Sequence, residues 1–213
     1  MRIVCISDTH SRHDHMEVPP GDVLVHAGDA TMSGRAEEIA RFNDWLGRLP
    51  HPHKILIAGN HDWLFETEPA LAEGLITNAH YLRDSSVEIE GLKFYGSPWQ
   101  PRFMHWAFNL SRGEEIKRKW DLIPEDTDVL ITHGPPHGTL DLVPRDPPGA
   151  YESAGCEELL LAVMRVRPRL HVFGHIHEGY GVARESRITF VNACVCDASY
   201  RPVNQAVVMA DVI

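Results

Sequence analysis

Short runs of aliphatic and β-branched residues recur along the chain, each closed by polar ones: 2–7, 22–27, 54–58, 128–132 and 170–173. Continuous apolar runs of this length, without polar alternation, predict strands buried on both faces. Between some of them the spacing changes to that of a helix. The segment 33–49 opens with Ser33 as a candidate cap and places Ile39, Phe42, Trp45, Leu46 and Leu49 on one face. The segment 155–166 repeats the pattern and closes at Arg167-Pro168, where proline cannot continue a helix. Two hairpins are predicted, over 87–96 with a turn at Glu90-Gly91 and over 179–193 with a turn near Glu185-Ser186; a last strand is predicted at 205–211. Strands alternating with helices, then antiparallel hairpins, indicate α/β layers with one mixed sheet or two sheets packed face to face. The Pro/Gly-rich stretches 97–102 and 134–149 read as active loops, because patterned segments resume within a few residues.

Composition narrows the picture. A chain of 213 residues can bury a substantial core, and one globular domain over 1–213 is expected. Lys and Arg number 20 against 30 Asp and Glu, a net charge of −10, so no diffuse positive field draws in extended nucleic acid. An anionic substrate must therefore be attracted locally, for example by a metal. No apolar run approaches the ~20 residues that span a bilayer, and the first strand is too short for a secretory segment. A soluble, cytoplasmic protein without membrane partners is expected; oligomeric state is not legible. The four cysteines, Cys5, Cys156, Cys194 and Cys196, form neither a disulfide framework nor a paired zinc motif and read as buried thiols. Asn109-Leu110-Ser111 matches a glycosylation sequon, which carries no weight without a secretory signal.

The chemistry lies just past the end of each predicted strand. "SDTH" offers Asp8 and His10, "HAGDA" offers Asp29, "AGNHDW" offers Asn60, His61 and Asp62, "THGPP" offers His133, and "GHIHEG" offers His175 and His177. In open α/β sheets ligands bind beyond the strand C-termini, so segments distant in sequence can converge there. Singly, Asp29 and Asn60 have bland readings as turn residues; five polar strand ends together do not. Gly28, Gly59, Gly134 and Gly174 sit beside the candidates and fit close backbone approach. Oxygen and imidazole donors without thiolate fit manganese, iron, zinc, nickel or cobalt. Seven such donors suffice for two ions sharing a carboxylate, a pair that at about 3.5–4 Å would clamp phosphate and hold a bridging hydroxide for in-line attack.

The five segments in this order resemble the calcineurin-like metallophosphoesterase superfamily, with its D-x-H, G-D, G-N-H-[DE], G-H and G-H-x-H motifs, over Asp8 to His177. More narrowly, "FNDWLGRLP", "KILIAGNH", "ITHGPPHG" and "RPRLHVFGHIHEGYG" resemble the metallophosphoesterase-domain-containing subfamily of animal brain and bacteria, akin to class III cyclic nucleotide phosphodiesterases. The resemblance implies a four-layer sandwich, two mixed β-sheets flanked by α-helices, with two divalent metals at the strand ends. Carried over by position, Asp8, His10, Asp29 and His177 would hold one metal, and Asp29, Asn60, His133 and His175 the other, with Asp29 bridging. His61 would protonate the leaving alkoxide and Asp62 would orient it. Asn60, His61, Arg12 and His137 are the candidate substrate contacts. His26 reads as a packed strand residue, and His13 and His15 as surface or loop groups.

One departure matters. Protein phosphatases of this superfamily extend the second motif to G-D-x-x-D-R-G, whereas this chain reads "GDATMSG" and has no arginine there to grip phosphate. That favours diesters, which carry a single negative charge. Some animal members replace the first histidine of G-H-x-H by glycine and bind nucleotide rather than turn it over; here His175 is present. The expectation is a dinuclear phosphodiesterase for small diesters, cyclic nucleotides (2′,3′ or 3′,5′) among them. The competing reading is a nucleotide-binding regulatory module with weak phosphoesterase activity. Trp99, Phe103 and Trp106 offer a wall on which a base could stack.

Overall fold

The computed structural model describes residues 1–210. Five strands form a first sheet in the order Val207–Ala210, Arg2–Ile6, Val23–Ala27, His53–Ile57, His80–Tyr81. Its neighbours are parallel except at the Val207–Ala210 edge. A second, mixed sheet of six strands runs Gly181–Glu185, Ile188–Asn192, Leu170–Phe173, Val129–Thr132, Leu92–Ser97, Ser85–Ile89. Asp211, the last residue of the strand expected at 205–211, lies outside the described residues.

Side-chain alternation explains the layering. Ile3, Cys5, Val23, Val25, Ile55 and Ile57 of the first sheet share one buried cluster with Phe94, Val129, Ile131, Leu170 and Val172 of the second. Their alternates, Val4, Ile6, Leu24 and Leu56, pack outward with Ile39, Phe42, Trp45 and Leu46 of the helix Ala36–Arg48. On the far side Tyr95, Leu130 and Phe173 belong with Ile116 and Trp120 of the helix Glu114–Trp120 and Leu159 and Val163 of the helix Glu157–Val166. The result is helix, sheet, sheet, helix, the four-layer sandwich the resemblance implies. Each large apolar side chain so buried contributes roughly 1.5–3 kcal/mol.

Local chemistry sets the boundaries. Ser33 is not the cap of the first helix; the helix begins at Ala36, and the Glu38 carboxylate accepts the N–H groups of Met32, Ser33 and Arg35. The helix Glu157–Val166 ends at Arg167 in left-handed geometry (φ 56°), just before Pro168. Glu90 (φ 49°) and Gly91 (φ 78°) make the tight turn of the predicted 87–96 hairpin. The loop expected at 134–149 is in part a hairpin, with Leu142–Arg145 paired to Ala150–Ser153; it is an isolated ribbon where Pro144 is tolerated. His13, expected on the surface, is instead buried against Phe42 and Trp45. His26 packs inside its strand as expected, with Nε2 3.0 Å from Thr9 Oγ1.

No helix among the described residues is long and apolar enough to cross a membrane.

Candidate metal centre

The parallel strands deliver their C-terminal loops to one edge. Past Ile6 and Ala27 the two chains stay zipped: Asp8 N–H donates to Gly28 O at 2.9 Å and His10 N–H to Asp29 O at 3.0 Å. Across the sandwich, Ser7 bridges to Cys194 and Gly174 N–H donates to His133 O at 2.9 Å, so both sheets contribute to one crevice. Asp8, His10, Asp29, Asn60, His61 and His133 converge there, all buried. His175 and His177 complete the ring: the imidazoles of His133 and His175 are 5.0 Å apart, and His177 Nε2 lies 3.3 Å from His10 Nε2.

Three imidazoles are fixed by backbone carbonyls. Nδ1 of His133 bonds Ala27 O at 3.0 Å, that of His177 bonds Asp197 O at 2.8 Å, and that of His61 bonds Met32 O at 2.8 Å. Each therefore presents Nε2 to the crevice, the outer-contact arrangement that orients metal-binding histidines. The carboxylates are divided in the same way. Asp8 Oδ2 is held by Ser7 Oγ, by His175 N–H at 3.0 Å and by the Cys194 thiol at 3.1 Å, while Oδ1 lies 3.4 Å from His177 Nε2. Asp29 Oδ1 accepts His61 N–H at 2.8 Å, while Oδ2 lies 3.8 Å from His10 Nε2 and 3.5 Å from His133 Nε2. Asn60 Oδ1 is 2.8 Å from His133 Nε2.

These residues fit divalent ions. Donors held at about 2.0–2.2 Å from one ion stand roughly 3–3.5 Å from each other, close to the separations just given. Donor atoms of Asp8, Asp29 and His133, and those of His10, Asp29 and His61, each lie within 4.8 Å of one another. The electrostatics agree. Burial disfavours charge on His133 and His177, yet Asp29 and Asp8 outweigh it and raise both rings to about 9. Those imidazoles in turn overcome burial at Asp8 and Asp29 and hold both carboxyls well below the usual range. His10 and His175, dominated by burial, are pushed down to about 4 and about 3. Both buried carboxylates therefore stay ionised beside the imidazoles. Donor atoms of Asp8, His177 and Cys194 form a third such group; burial and then Asp8 push the Cys194 thiol well up.

The backbone bears a cost for this convergence. Asp8 (φ 54°), His10 (φ 42°), Asp29 (φ 55°) and His175 (φ 67°) all adopt left-handed geometry, which costs non-glycine residues of order 1–3 kcal/mol each. Gly59 and Gly174 are required by space: a Cβ at 59 would overlap Asp29 Oδ1 and one at 174 would overlap Asp8 Oδ2. Gly134 meets neither demand, its nearest contacts being 3.9 Å or more.

The remaining expected site residues make other contacts. Asp62 does not orient the His61 ring, which Met32 O holds. Its carboxylate instead accepts Thr31 N–H and Oγ1 at 2.9 and 2.7 Å, Gly59 N–H at 2.9 Å and Ala30 N–H at 3.2 Å, tying two loops together. Burial and then Asp29 raise its carboxyl to about 6. Arg12 is exposed, and its guanidinium has no hydrogen bond or ion pair among the described residues. His137 is 40% exposed and faces Asp141 at 4.0 Å. Trp99 is buried away from the crevice with Nε1–H on Asp84, whereas Trp106 stacks on His61 and Phe103 stands edge-on to His175. Tyr200, which no sequence pattern singles out, lies with its ring 4.7 Å from that of His10.

Back-to-back sheets with such donors at their shared edge define hydrolases that work on phosphate esters with divalent metal ions. The chain belongs to the calcineurin-like phosphoesterase family, whose profile matches residues 1–179. It is 50% identical to metallophosphoesterase domain-containing protein 1 of Homo sapiens, over 98% of this chain and 70% of that protein. Among solved structures, phosphopantetheinyl hydrolase of Mycobacterium tuberculosis superposes with a TM-score of 0.58 at 16% identity, covering 96% of this chain and 95% of that one. The protein TT1561 of Thermus thermophilus gives 0.58 at 15% identity, covering 90% and 88%. These two likenesses speak to the fold.

Proposed function

We propose that residues 1–213 act as one catalytic domain, a dinuclear metal-dependent phosphodiesterase for small diesters, cyclic nucleotides among them. Asp8, His10, Asp29 and His177 hold one ion, and Asp29, Asn60, His133 and His175 the other. The observation that carries this reading is the single oxygen Asp29 Oδ2, which faces His10 at 3.8 Å and His133 at 3.5 Å, one member of each donor set. When bound, the ions supply Lewis-acid stabilisation of the developing phosphoryl charge and activate the attacking water. The donor set, imidazole and oxygen, fits manganese or iron.

His61 completes the chemistry from the protein side. With Nδ1 committed to Met32 O, its Nε2 is the nitrogen available to protonate the departing alkoxide. The second-motif loop supports a diester over a monoester. Ala30 and Thr31 are pinned by Asp62, and no guanidinium of that loop is positioned to neutralise a second phosphate charge.

The test pairs metal content with turnover. Manganese-loaded protein is assayed on bis(p-nitrophenyl) phosphate, p-nitrophenyl phosphate, and 2′,3′- and 3′,5′-cyclic AMP, beside His175→Gly. Two metals per chain and diester turnover that collapses in the variant support the reading. Two metals with tight nucleotide binding and no turnover would replace it with a binding module.

A further inference from the structure

The loop 101–108 touches both ends of the crevice. Trp106 lies on His61, beside His10, while Phe103 stands against His175, beside His133. The loop is tightly held: Asn109 accepts Phe103 N–H at 3.1 Å and donates Nδ2 to the carbonyls of Phe103 and Met104, and Ala107 N–H donates to Asn60 O at 3.2 Å. On the His175 side Pro101, Arg102 and Phe103 of this loop line a cleft of about 460 Å³, together with Val143, Arg145 and Glu152 of the hairpin formed by Leu142–Arg145 and Ala150–Ser153.

The charges in that cleft run against those of the chain. Arg102, Arg112 and Arg145 line it, with Glu152 and Glu178. Arg145 is paired with Glu152, which cancels both. Arg112 is anchored by two backbone carbonyls, Gly155 O at 2.9 Å and Ala154 O at 2.8 Å, neutral acceptors that fix the guanidinium without neutralising it. Among the described residues neither Arg102 nor Arg112 forms an ion pair with a carboxylate, and the Arg102 guanidinium makes no hydrogen bond at all. Of the charged side chains that line the cleft, three arginines face two glutamates, Glu152 and Glu178, in a protein whose net charge is −10. Glu115 and Glu158, outside the lining, feel Arg102 and Arg112 and are held below the usual carboxylate range.

We propose that this cleft is a second anion subsite, in which Arg102, backed by Arg112, receives a phosphate or carboxylate carried on the ester arm that stays bound to phosphorus. This rests on the diesterase reading. The two arms of a diester leave phosphorus in different directions: if His61 serves the departing oxygen, the retained arm runs toward His175 and into the cleft. The subsite narrows the substrate class to small diesters with a second negative group, in preference to simple cyclic mononucleotides, which have none. Guanidinium rather than ammonium suits the task, since its fork meets two oxygens at once.

Equilibrium binding tests it directly. Calorimetry on manganese-loaded protein at fixed ionic strength compares thymidine 3′,5′-bisphosphate with thymidine 5′-monophosphate. Wild type is expected to prefer the bisphosphate by about tenfold or more, the worth of one charge-assisted contact. Arg102→Ala brings the ratio toward one, while Arg118→Ala, which removes the same charge from the exposed side of the helix Glu114–Trp120, preserves it. No preference in wild type, or an unchanged ratio in Arg102→Ala, overturns the subsite. Turnover is read separately with the p-nitrophenyl ester of thymidine 5′-phosphate, with and without a 3′-phosphate. Failure of both esters sinks the diesterase reading, while the binding ratio still decides the subsite.

Discussion

The indole of Trp106 lies face to face with the imidazole of His61, ring centroids 4.2 Å apart and planes inclined by 26°. Together with the Met32 carbonyl this fixes the ring in two directions, one by stacking and one by a hydrogen bond. Trp106→Ala is expected to lower kcat about 10–100-fold on diesters with poor alcohol leaving groups and much less on p-nitrophenyl esters, whose phenolate departs without a proton. Trp106→Phe, which keeps a stacking face, recovers most of the loss. His61→Asn should give the same leaving-group pattern more severely, with metal content retained. Equal losses on both ester types would refute the positioning role.

Gly59 offers a steric test of the donor cluster. Its φ is ordinary, so alanine adds no backbone strain, only a Cβ directed at Asp29 and at His133 Cε1, 2.6 Å away. Gly59→Ala should fall below one metal per chain by mass spectrometry and lose stability by roughly 1–3 kcal/mol, the usual cost of overpacking. Full metal occupancy in that variant would show that the cluster tolerates displacement and is not the binding site.

Asp62 separates structure from catalysis. Its carboxylate satisfies donors of Ala30, Thr31 and Gly59 from inside the fold, fully buried. Asp62→Ala should cost about 2–4 kcal/mol in urea unfolding, as buried donors lose their acceptor. Turnover per metal-loaded site on a p-nitrophenyl diester should change far less. A stable variant with collapsed kcat would return Asp62 to the catalytic role that its neighbour His61 invites.

His171 gives a pH signature away from the metal donors. The ring is buried between Phe173 and Phe190, its Nε2 2.8 Å from Thr132 Oγ1, and burial lowers its pKa to about 3. The unfolded chain takes up this proton near pH 6.5, whereas the folded chain refuses it until about 3. More protons bound when unfolded means stability that is complete above pH 6.5 and lost as pH falls toward 3. The slope approaches about 1.4 kcal/mol per pH unit for one such group. Chelator-treated His171→Phe should show a shallower acid loss than wild type by up to that slope; identical slopes would contradict the assignment.

Much of this architecture is written locally. Apolar runs without alternation mark the inner strands, and the polar groups closing them mark Asp8, Asp29, Asn60, His133 and His175, because a strand end is also where a crevice opens. The contacts that no local pattern reveals depend on chain crossings. Cys194 and Ser7 reach Asp8 only because the two sheets meet at one bridge, and Tyr200 reaches His10 from a turn fixed by Asp197, which accepts the N–H groups of Ser199 and Arg201. Adjacency misleads at Asp62. Next to His61 in sequence, it turns inward while the ring turns toward Met32, because the chain makes a tight turn here, with Asp62 N–H donating to Gly59 O at 3.2 Å. Trp99 and Trp106 look alike in one proline-rich stretch, and only the pairing of Gln100–Pro101 with Asn109–Leu110 sends one inward and the other to His61.

At φ 67° His175 occupies backbone territory in which glycine is at ease and histidine is not. Exchange for glycine relieves on the order of 1 kcal/mol or more of conformational strain while deleting a donor. If His175 holds a metal ion as proposed, backbone preference and metal binding pull in opposite directions at this one position. Restoring the histidine in a His175→Gly variant would then have to regain the ligand against the backbone's own preference.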